Sequence, residues 1–226
     1  MATRASPRSA APASRPYFSP SRQEQARRTR GRILAAATGL FCTRGYAGTT
    51  MAAIAAGAGV SVPAVELAFK TKAALLKTAI DVAIAGDDEP VPVLERPWAT
   101  QALAAVTAAE FLGVVATVLV ETAQRADSLV LTALEAARSD ERLAPLANQL
   151  KGQRAGTAAW IVDGVLARAP LRPGVDRAHA VDVVWLLMEP AVFDRLTTDR
   201  GWTPQRFGDW FAESTLRLLA SCPDRN

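Results

Sequence analysis

Residues 50–76 carry the pattern that most limits what this chain can fold into. The segment reads TMAAIAAGAGVSVPAVELAFKTKAALL and predicts two short helices that meet at a glycine-containing turn, with a third helix after them. Thr50 and Ser61 are candidate N-caps because a hydroxyl can accept an otherwise unpaired backbone N–H. Gly59 suits a turn residue with positive φ, and Pro63 fits a first helical turn, where its missing N–H costs no hydrogen bond. This layout predicts a helix-turn-helix, in which the second helix enters the DNA major groove.

Charge is distributed unevenly along the 226 residues. Residues 1–86 hold 12 basic and 3 acidic side chains, whereas the remainder holds 14 basic and 19 acidic ones. The positive charge therefore coincides with the predicted helix-turn-helix. Because Lys and Arg gain affinity for a polyanion by releasing its condensed counterions, double-stranded DNA is the expected partner. A merely solvated basic surface is the alternative.

Other features of the sequence predict no membrane span, metal site or cofactor. The longest uncharged apolar stretch, Phe111–Val120, is shorter than the roughly 20 residues that a bilayer requires. Cys42, Cys222 and the single histidine, His179, lack the spacing of a zinc site. We expect both cysteines to be reduced, Cys42 to lie in the core, and the protein to be cytoplasmic.

Composition and helical spacing divide the chain into four parts. A basic tail is predicted over residues 1–21, a helix-turn-helix domain over 22–86, a proline-containing linker over 87–97 and a helical domain over 98–222. The tail is expected to be disordered, either as an arm along DNA or as a transit peptide. Further helices are expected over residues 22–43, 72–85, 98–124 (whole or broken), 127–137, 140–169, 175–199 (kinked or split at Pro190) and 203–220.

The N-terminal part resembles the DNA-binding domain of the TetR family of bacterial transcriptional regulators. The match covers about residues 27–80, a third of the chain. The matching positions are Leu40–Tyr46, Thr49–Thr50, Ile54–Ala55, Ala58–Ser61, Phe69 and Thr71–Leu76. The resemblance implies an all-α protein with an N-terminal three-helix DNA-binding domain and a larger helical domain for ligand binding and dimerisation. It also implies a regulator and not an enzyme.

The DNA-facing residues follow partly from spacing and partly from the resemblance. Spacing predicts that Val65, Ala68 and Phe69 pack inward. The resemblance implies that Val62, Pro63, Ala64 and Leu67 approach bases, with Lys70 also facing outward. It further implies phosphate contacts from Thr49 or Thr50, from Ser61 and from Lys72. Arg27, Arg28 and the neighbouring arginines at the start of the first helix, together with the Tyr46 hydroxyl, are further phosphate candidates; for Tyr46 the alternative is core packing.

The chain departs from the family pattern at Glu66-Leu67-Ala68, where most members carry aromatic residues and often a histidine. Glu66 could accept a hydrogen bond from cytosine N4 while Leu67 meets a thymine methyl. Alternatively, Glu66 pairs with Lys70 at i, i+4 spacing. We favour the pair, because it needs no assumption about the DNA sequence.

Large apolar residues among many alanines in the second domain predict a cavity for an apolar effector, with ordinary packing as the alternative for each residue. The candidates are Glu110, Phe111, Val115, Trp160, Trp185 and Met188, with Glu121 and His179 as further polar groups. The last two helices are apolar over more than one stripe, and the resemblance implies that they join two subunits in a four-helix bundle. The interface candidates are Val181, Val184, Phe207, Trp210, Phe211 and Leu218.

These features predict a ligand-responsive repressor, a homodimer that an apolar small molecule releases from a near-palindromic operator. One alternative is an all-helical enzyme that uses the cavity, although no acid–base pair or metal motif supports it. The other is a nucleic-acid-binding module without sequence preference. A phosphate contact by Lys72 requires that Lys72→Ala weaken DNA binding and reduce the salt slope by about one.

Overall fold

The computed structural model describes residues 20–87, 89 and 91–221, and within them it contains ten α-helices and no strand. The predicted all-α fold is confirmed. Short 3₁₀-helices at Val93–Glu95 and Glu141–Leu143 and a π-helical turn at Arg195–Asp199 complete the elements. The helices are α1 Pro20–Arg44, α2 Met51–Ala58, α3 Val62–Phe69, α4 Lys72–Ala85, α5 Pro97–Ala104, α6 Ala108–Ala136, α7 Ala144–Leu166, α8 Arg177–Leu187, α9 Pro190–Asp194 and α10 Pro204–Leu219.

The helix-turn-helix forms through the local interactions that the sequence predicted. The Thr50 hydroxyl accepts the N–H of Ala53 at 3.1 Å and caps α2. Gly59 ends that helix in the left-handed region, with φ 63°. The Ser61 hydroxyl then accepts the N–H of Ala64 at 3.3 Å and caps α3. Because each interaction spans at most three residues, the segment defines its own turn.

The apolar core of the DNA-binding head, defined here as α1–α4, continues into the second half of the chain. Ile33, Phe41, Ile54, Val65 and Leu76 are fully buried within the head. The same hydrophobic cluster includes residues from the second half of α6, from the 3₁₀-helix Glu141–Leu143 and from the start of α7: Ala126, Leu129, Val130, Ala133, Leu143, Leu146 and Leu150. The head therefore packs directly on α6, and the predicted division at residues 87–97 remains a prediction.

The helix bounds differ from the predictions in several places; the helix expected over residues 140–169, for example, is α7 Ala144–Leu166, preceded by a 3₁₀-helix. The break expected between residues 124 and 127 is absent, because α6 runs unbroken for 29 residues. No glycine or proline interrupts its second half, and its buried face continues through Ala123, Ala126 and Leu129. The first helix begins at Pro20, two residues earlier than expected. The predicted split at Pro190 is confirmed, since α8 ends at Leu187 and α9 begins at that proline.

Two predictions about burial were wrong. Cys42 is exposed, because it follows the buried Phe41 by one residue and therefore points to a different side of α1. Ala68 is also exposed, since the buried stripe of the eight-residue helix α3 consists only of Val65 and Phe69. Cys222 and the predicted tail up to residue 19 lie outside the described residues.

Within the described part of the chain, no single helix is long and apolar enough to cross a membrane. Helices α2 and α3 reach the length and apolar composition of a membrane span only when they are counted together, and they are bent by 105° relative to each other. Among the same residues, no group of three or more His, Cys, Asp or Glu side chains could hold a metal ion.

Candidate nucleic-acid interface and cavity

Helix α3 has a short exposed face, and its buried residues on the opposite face hold it in place. Val65 and Phe69 anchor it in the core of the head. Pro63, Glu66 and Leu67 are exposed, and the Leu67 side chain retains 87% of its accessible surface. Val62 and Ala64, also predicted to approach bases, are half-buried. An apolar side chain of this exposure on an anchored helix is placed to contact base edges in a groove.

Glu66 and Lys70 form no ion pair, although both lie in the described part of the chain and an i, i+4 pair was expected. Lys70 is the C-cap of α3 and has φ 63°, so its side chain leaves the helical track that would bring it beside Glu66. The two residues are joined only through the backbone, where the N–H of Lys70 donates to the carbonyl of Glu66 at 2.8 Å. Acceptance by Glu66 of a hydrogen bond from cytosine N4 remains the open alternative.

Arg32 holds the helix-turn-helix from outside the motif. Its Nε donates to the carbonyl of Ala58 at 2.9 Å, and Nη2 donates to the carbonyl of Gly59 at 2.8 Å and also to that of Ala58. These carbonyls lie at the C-terminus of α2, where helical carbonyls lack internal partners and a positive charge is favourable. Arg32, one of the clustered arginines proposed for phosphate, therefore fixes α2 to α1.

We expect Arg32→Ala to lower the free energy of unfolding by about 1.5–3 kcal/mol, the usual contribution of hydrogen bonds to a charged group. Arg32→Lys should recover only part of the loss, because an ammonium cannot replace the planar guanidinium across two carbonyls. Urea unfolding measures both variants. Full stability of Arg32→Ala would show that the turn does not depend on this contact.

Of the two threonines proposed for phosphate contact, the structure exposes Thr50 and buries Thr49 completely. The Thr49 hydroxyl lies 2.8 Å from the carbonyl oxygen of Gly45 and 3.1 Å from that of Leu40. It therefore ties the end of α1 to the turn before α2. Thr50 and Ser61 remain at the surface as phosphate candidates.

Lys72 and Tyr46 form a second internal contact behind the motif. The Lys72 ammonium donates to the carbonyl oxygens of Tyr46 at 2.7 Å and Thr49 at 2.8 Å, and it lies 4.1 Å from the centre of the Tyr46 ring. Burial lowers the pKa of Lys72. The Tyr46 ring is buried and stacks on Phe41, and burial raises the pKa of its hydroxyl. Packing is thus the role the structure gives Tyr46, while the phosphate contact of Lys72 remains a prediction.

Lys72→Ala separates the two roles of this lysine. Loss of two charge-assisted hydrogen bonds and the ring contact should lower the free energy of unfolding by about 2 kcal/mol. A phosphate contact additionally requires the slope of log affinity against log salt to fall by about one. An unchanged slope would remove Lys72 from the DNA contacts and leave only its structural role.

Arg27 and Arg28 lie on the exposed side of α1, as a phosphate contact requires. Arg28 forms an ion pair with Glu24 at 3.0 Å, but both side chains are solvent-exposed, so the pair is weak and can be exchanged for a phosphate. The structure brings these arginines to the surface of the same head as α3, and their DNA contacts stay predictions.

A cavity of about 1130 Å³ lies between the head and the helices of the second half. Residues of α4, α6, α7 and α9 form its walls, together with Glu89 and residues 91–95. Of the six residues predicted for an effector pocket, Val115, Trp160 and Met188 line it. Its volume exceeds that of most drug-sized pockets, and most of its lining is apolar.

The other predicted pocket residues do not line the cavity. Glu110 is exposed and forms the capping box of α6, and hydrogen bonds from the Thr107 and Val106 N–H groups lower its pKa. Phe111 lies fully buried between α6 and α7, and Trp185 stacks beneath the guanidinium of Arg154. Glu121 and His179, the further polar candidates, are both exposed and stand outside the walls.

Three charged residues in the cavity wall were not predicted from the sequence. Arg154 of α7 pairs with Glu189, and its guanidinium lies 4.1 Å from the centre of the Trp185 ring. Asp127 of α6 makes no hydrogen bond or ion pair with the rest of the described chain. Burial and the nearby Glu189 raise the pKa of Asp127 to about 7, although Arg154 acts in the opposite direction. Asp127 could have been noticed in the sequence, because it is an acid that interrupts the apolar helix face formed by Ala123, Ala126 and Val130.

Comparison with known proteins identifies the head. Residues 33–79 match the model of a family described as bacterial regulatory proteins, tetR family. The chain carries a TetR-family DNA-binding domain. The match agrees with the DNA-binding domain that the resemblance implied. No curated protein matches the chain significantly.

Solved structures share the fold of this chain along most of its length. NalD of Pseudomonas aeruginosa, the secondary repressor of the MexAB-OprM multidrug efflux pump, has 20% identity and a TM-score of 0.61, over 87% of this chain and 98% of NalD. FadR of Bacillus subtilis in complex with stearoyl-CoA has 19% identity and a TM-score of 0.64, over 83% and 98%. The ketosteroid regulator KstR2 of Mycobacterium tuberculosis has 19% identity and a TM-score of 0.57, over 85% and 95%. At these identities the similarity shows the fold.

The residues proposed for a TetR-type dimer interface divide between core and surface. Val184, Phe207 and Phe211 are buried inside the protomer, where α8 and α10 pack on each other and α10 packs on α6. Val181 and Trp210 are half-buried, and Leu218 is 45% exposed. Many of the apolar residues of α8 and α10 from which an interface was inferred are therefore already buried in the core of the same chain. The large apolar residues that α8 and α10 still expose are Leu186, at 59%, and Leu218.

Proposed function

We propose that this TetR-family regulator is a repressor that binds a near-palindromic operator as a dimer and is released by a small molecule in the cavity. The observation that carries the proposal is that head and second domain share the cavity walls. Residues of α4, which directly follows the exposed helix α3, form one side, and residues of α6 and α7 form the other. An occupant therefore contacts both the DNA-binding head and its support.

The contact between α4 and α6 provides a route for this control. Arg125 of α6 donates from Nε to the carbonyl of Ala83 near the end of α4 at 3.1 Å, and the two helices share the apolar core of the head. A ligand that separates α4 from α6 changes the position of α3 relative to the second protomer. Release follows only when the ligand binds the released conformation more tightly than the DNA-bound one.

A dimer accounts for the symmetry expected of the operator. We assign the interface to the outer faces of α8 and α10, which include Leu186 and Leu218. A two-fold axis would set two α3 helices one DNA turn apart, roughly 34–36 Å, or a multiple of that distance. The family consists of regulators, so we propose no catalytic activity, and such a protein acts on DNA in the cytoplasm.

The structural neighbours agree with control by an apolar ligand. NalD is a repressor, and FadR is described in complex with stearoyl-CoA, a molecule with a long acyl chain. The mostly apolar wall of the cavity in the present chain supports an effector with a large apolar body.

Selection of bound sequences from a random DNA pool tests the proposal. The winning sequences should contain two inverted half-sites whose centres lie one helical turn apart or a multiple of it, and sedimentation should give two protomers per site, or a multiple. Binding should survive an excess of random duplex. Sequences without symmetry, or binding that the random duplex abolishes, would favour the module without sequence preference.

A further inference from the structure

Among the described charged residues of the cavity wall, Asp127 is the one that is largely removed from solvent and yet lacks a partner, since the unpaired Glu89, Glu95 and Lys151 are exposed. Its carboxylate takes part in no hydrogen bond or ion pair of the described residues, although it lies in the cavity wall and most of its surface is removed from solvent. An isolated buried carboxylate is costly unless it is protonated or paired with a cation. Nothing in the packing of α6 needs an acid at this position, since its neighbours Ala123, Ala126 and Val130 are apolar.

The remaining charges of the cavity do not favour an anion. Six carboxylates and three basic side chains line it. The basic group nearest to Asp127, Arg154, is already engaged by Glu189 and by the face of the Trp185 ring. An anionic ligand would have to displace that ion pair or rely on the exposed Lys151, and it would meet an excess of negative charge. A cationic ligand meets an unpaired carboxylate and displaces nothing.

Aromatic rings complete an environment suited to an apolar cation. Trp98 and Trp160 line the cavity and meet edge to face, with ring centres 5.5 Å apart. Phe193 and Phe207 form a second such pair at 5.0 Å. The faces of aromatic rings attract cations, and the rings also bury an apolar body. The cavity thus combines aromatic rings, apolar walls and one unpaired carboxylate that is largely removed from solvent.

We propose that the effector of this regulator is a bulky apolar molecule that carries a positive charge, and that Asp127 is its counter-ion. The proposal rests on the function proposed above, because it names the chemical class of ligand that acts in the same cavity. A permanent organic cation and a protonated lipophilic amine share this chemistry, and both fall within the class.

Ligand binding should also depend on pH. The charged groups that act on Asp127 are Arg154 of α7, Glu189 at the start of α9 and Asp194 of α9, and the two acids oppose its ionisation. With a pKa of about 7, the carboxyl group is mostly protonated at pH 6 and mostly ionised at pH 8. Because a cation binds the ionised form, its affinity should rise about tenfold between these values, with release of a proton.

Three probes of similar shape test the charge preference on the full-length protein. Tetraphenylphosphonium is a cation, tetraphenylborate is an anion of nearly equal size, and triphenylphosphine oxide is neutral. Binding can be followed by quenching of Trp98 and Trp160 and by calorimetry. At pH 8 the cation should bind at least about tenfold more tightly than the anion. Equal affinities, or a preference for the anion, would overturn the proposal without any variant.

Asp127→Asn tests the residue itself. It should weaken binding of tetraphenylphosphonium by about 10- to 100-fold at pH 8, remove the pH dependence, and leave triphenylphosphine oxide nearly unchanged. Glu121→Gln is the matched control, because Glu121 is an exposed acid of the same helix outside the cavity. Loss of cation affinity in both variants alike, or in neither, would remove Asp127 as the counter-ion.

The ligand class and the regulatory function can fail separately. Probe binding is measured without DNA, whereas release is measured on the selected operator. Release of DNA by the neutral probe without any preference for the cation would overturn the ligand class and leave the repressor function intact. A strong, Asp127-dependent preference for the cation in a protein that binds no operator would support the ligand class as a property of the cavity and overturn the repressor function.

Discussion

Asp127→Asn should make the protein more stable at neutral and alkaline pH. The folded protein raises the pKa of Asp127 from 3.8 to about 7, so between these values the unfolded chain loses a proton that the folded chain keeps. Stability of the wild type therefore falls as pH rises from about 4 to about 7 and then becomes constant. Each pKa unit corresponds to about 1.4 kcal/mol, which gives an upper limit of about 4 kcal/mol for the stabilisation at pH 8.

The measurement is urea unfolding of wild type and variant from pH 4 to pH 8 at fixed protein concentration. The difference between the two proteins should be smallest at pH 4 and grow up to about pH 7. Glu121→Gln, which removes an exposed carboxyl group from the same helix, should show no comparable trend. A difference between Asp127→Asn and wild type that does not change with pH would mean that this carboxyl group ionises normally in the folded protein.

Gly164→Ala should be strongly destabilising, because Phe111 occupies the place of the new methyl group. A β-carbon at Gly164 would lie 2.1 Å from Cζ of the Phe111 ring. The ring cannot easily withdraw, since Trp160 contacts it at 5.4 Å between ring centres and the Arg168 guanidinium lies 4.7 Å from its centre. Overpacking of this kind costs about 1–3 kcal/mol, and a backbone shift between α6 and α7 would add to the loss.

Gly152→Ala is the control for this substitution. Gly152 lies in the same helix α7, is exposed and has no atom near the position of an added methyl group. Alanine there should raise the free energy of unfolding by about 0.5–1 kcal/mol, as expected for a glycine within a helix. Thermal unfolding should therefore move in opposite directions for the two variants. A similar shift for both would show that the Phe111 contact is not tight.

The head could be predicted from the sequence because its signals are local. Thr50, Gly59 and Ser61 each act on a backbone group no more than four residues away, so the type and spacing of these residues define the turn. The split at Pro190 follows in the same way from a missing N–H. Such features do not depend on the rest of the chain.

The internal roles of charged residues could not be predicted, because their partners are distant in sequence. Arg32 and Lys72 each bind carbonyls that lie more than 20 residues away. The phosphate role of the arginine cluster was predicted from its charge at the start of α1, and that of Lys72 from the family resemblance. The cavity charges depend in the same way on where α6, α7 and α9 meet. Residue spacing predicts that a helix face is apolar, but not whether the core of the same chain or a second subunit covers that face. Val184 and Phe211 were interface candidates, for example, and are buried in the core of the same chain.

The exposed face of α3 should read the operator, and the ratio of the affinities for selected and random duplex measures this most directly. Leu67→Ala removes an 87% exposed side chain from this face without disturbing the core. Val106→Ala is the matched control, because Val106 is 83% exposed in the connection between α5 and α6. The wild-type ratio should reach at least about 1,000, and Leu67→Ala should reduce it about tenfold while Val106→Ala leaves it unchanged. A wild-type ratio near one, or equal ratios for the two variants, would contradict the claim.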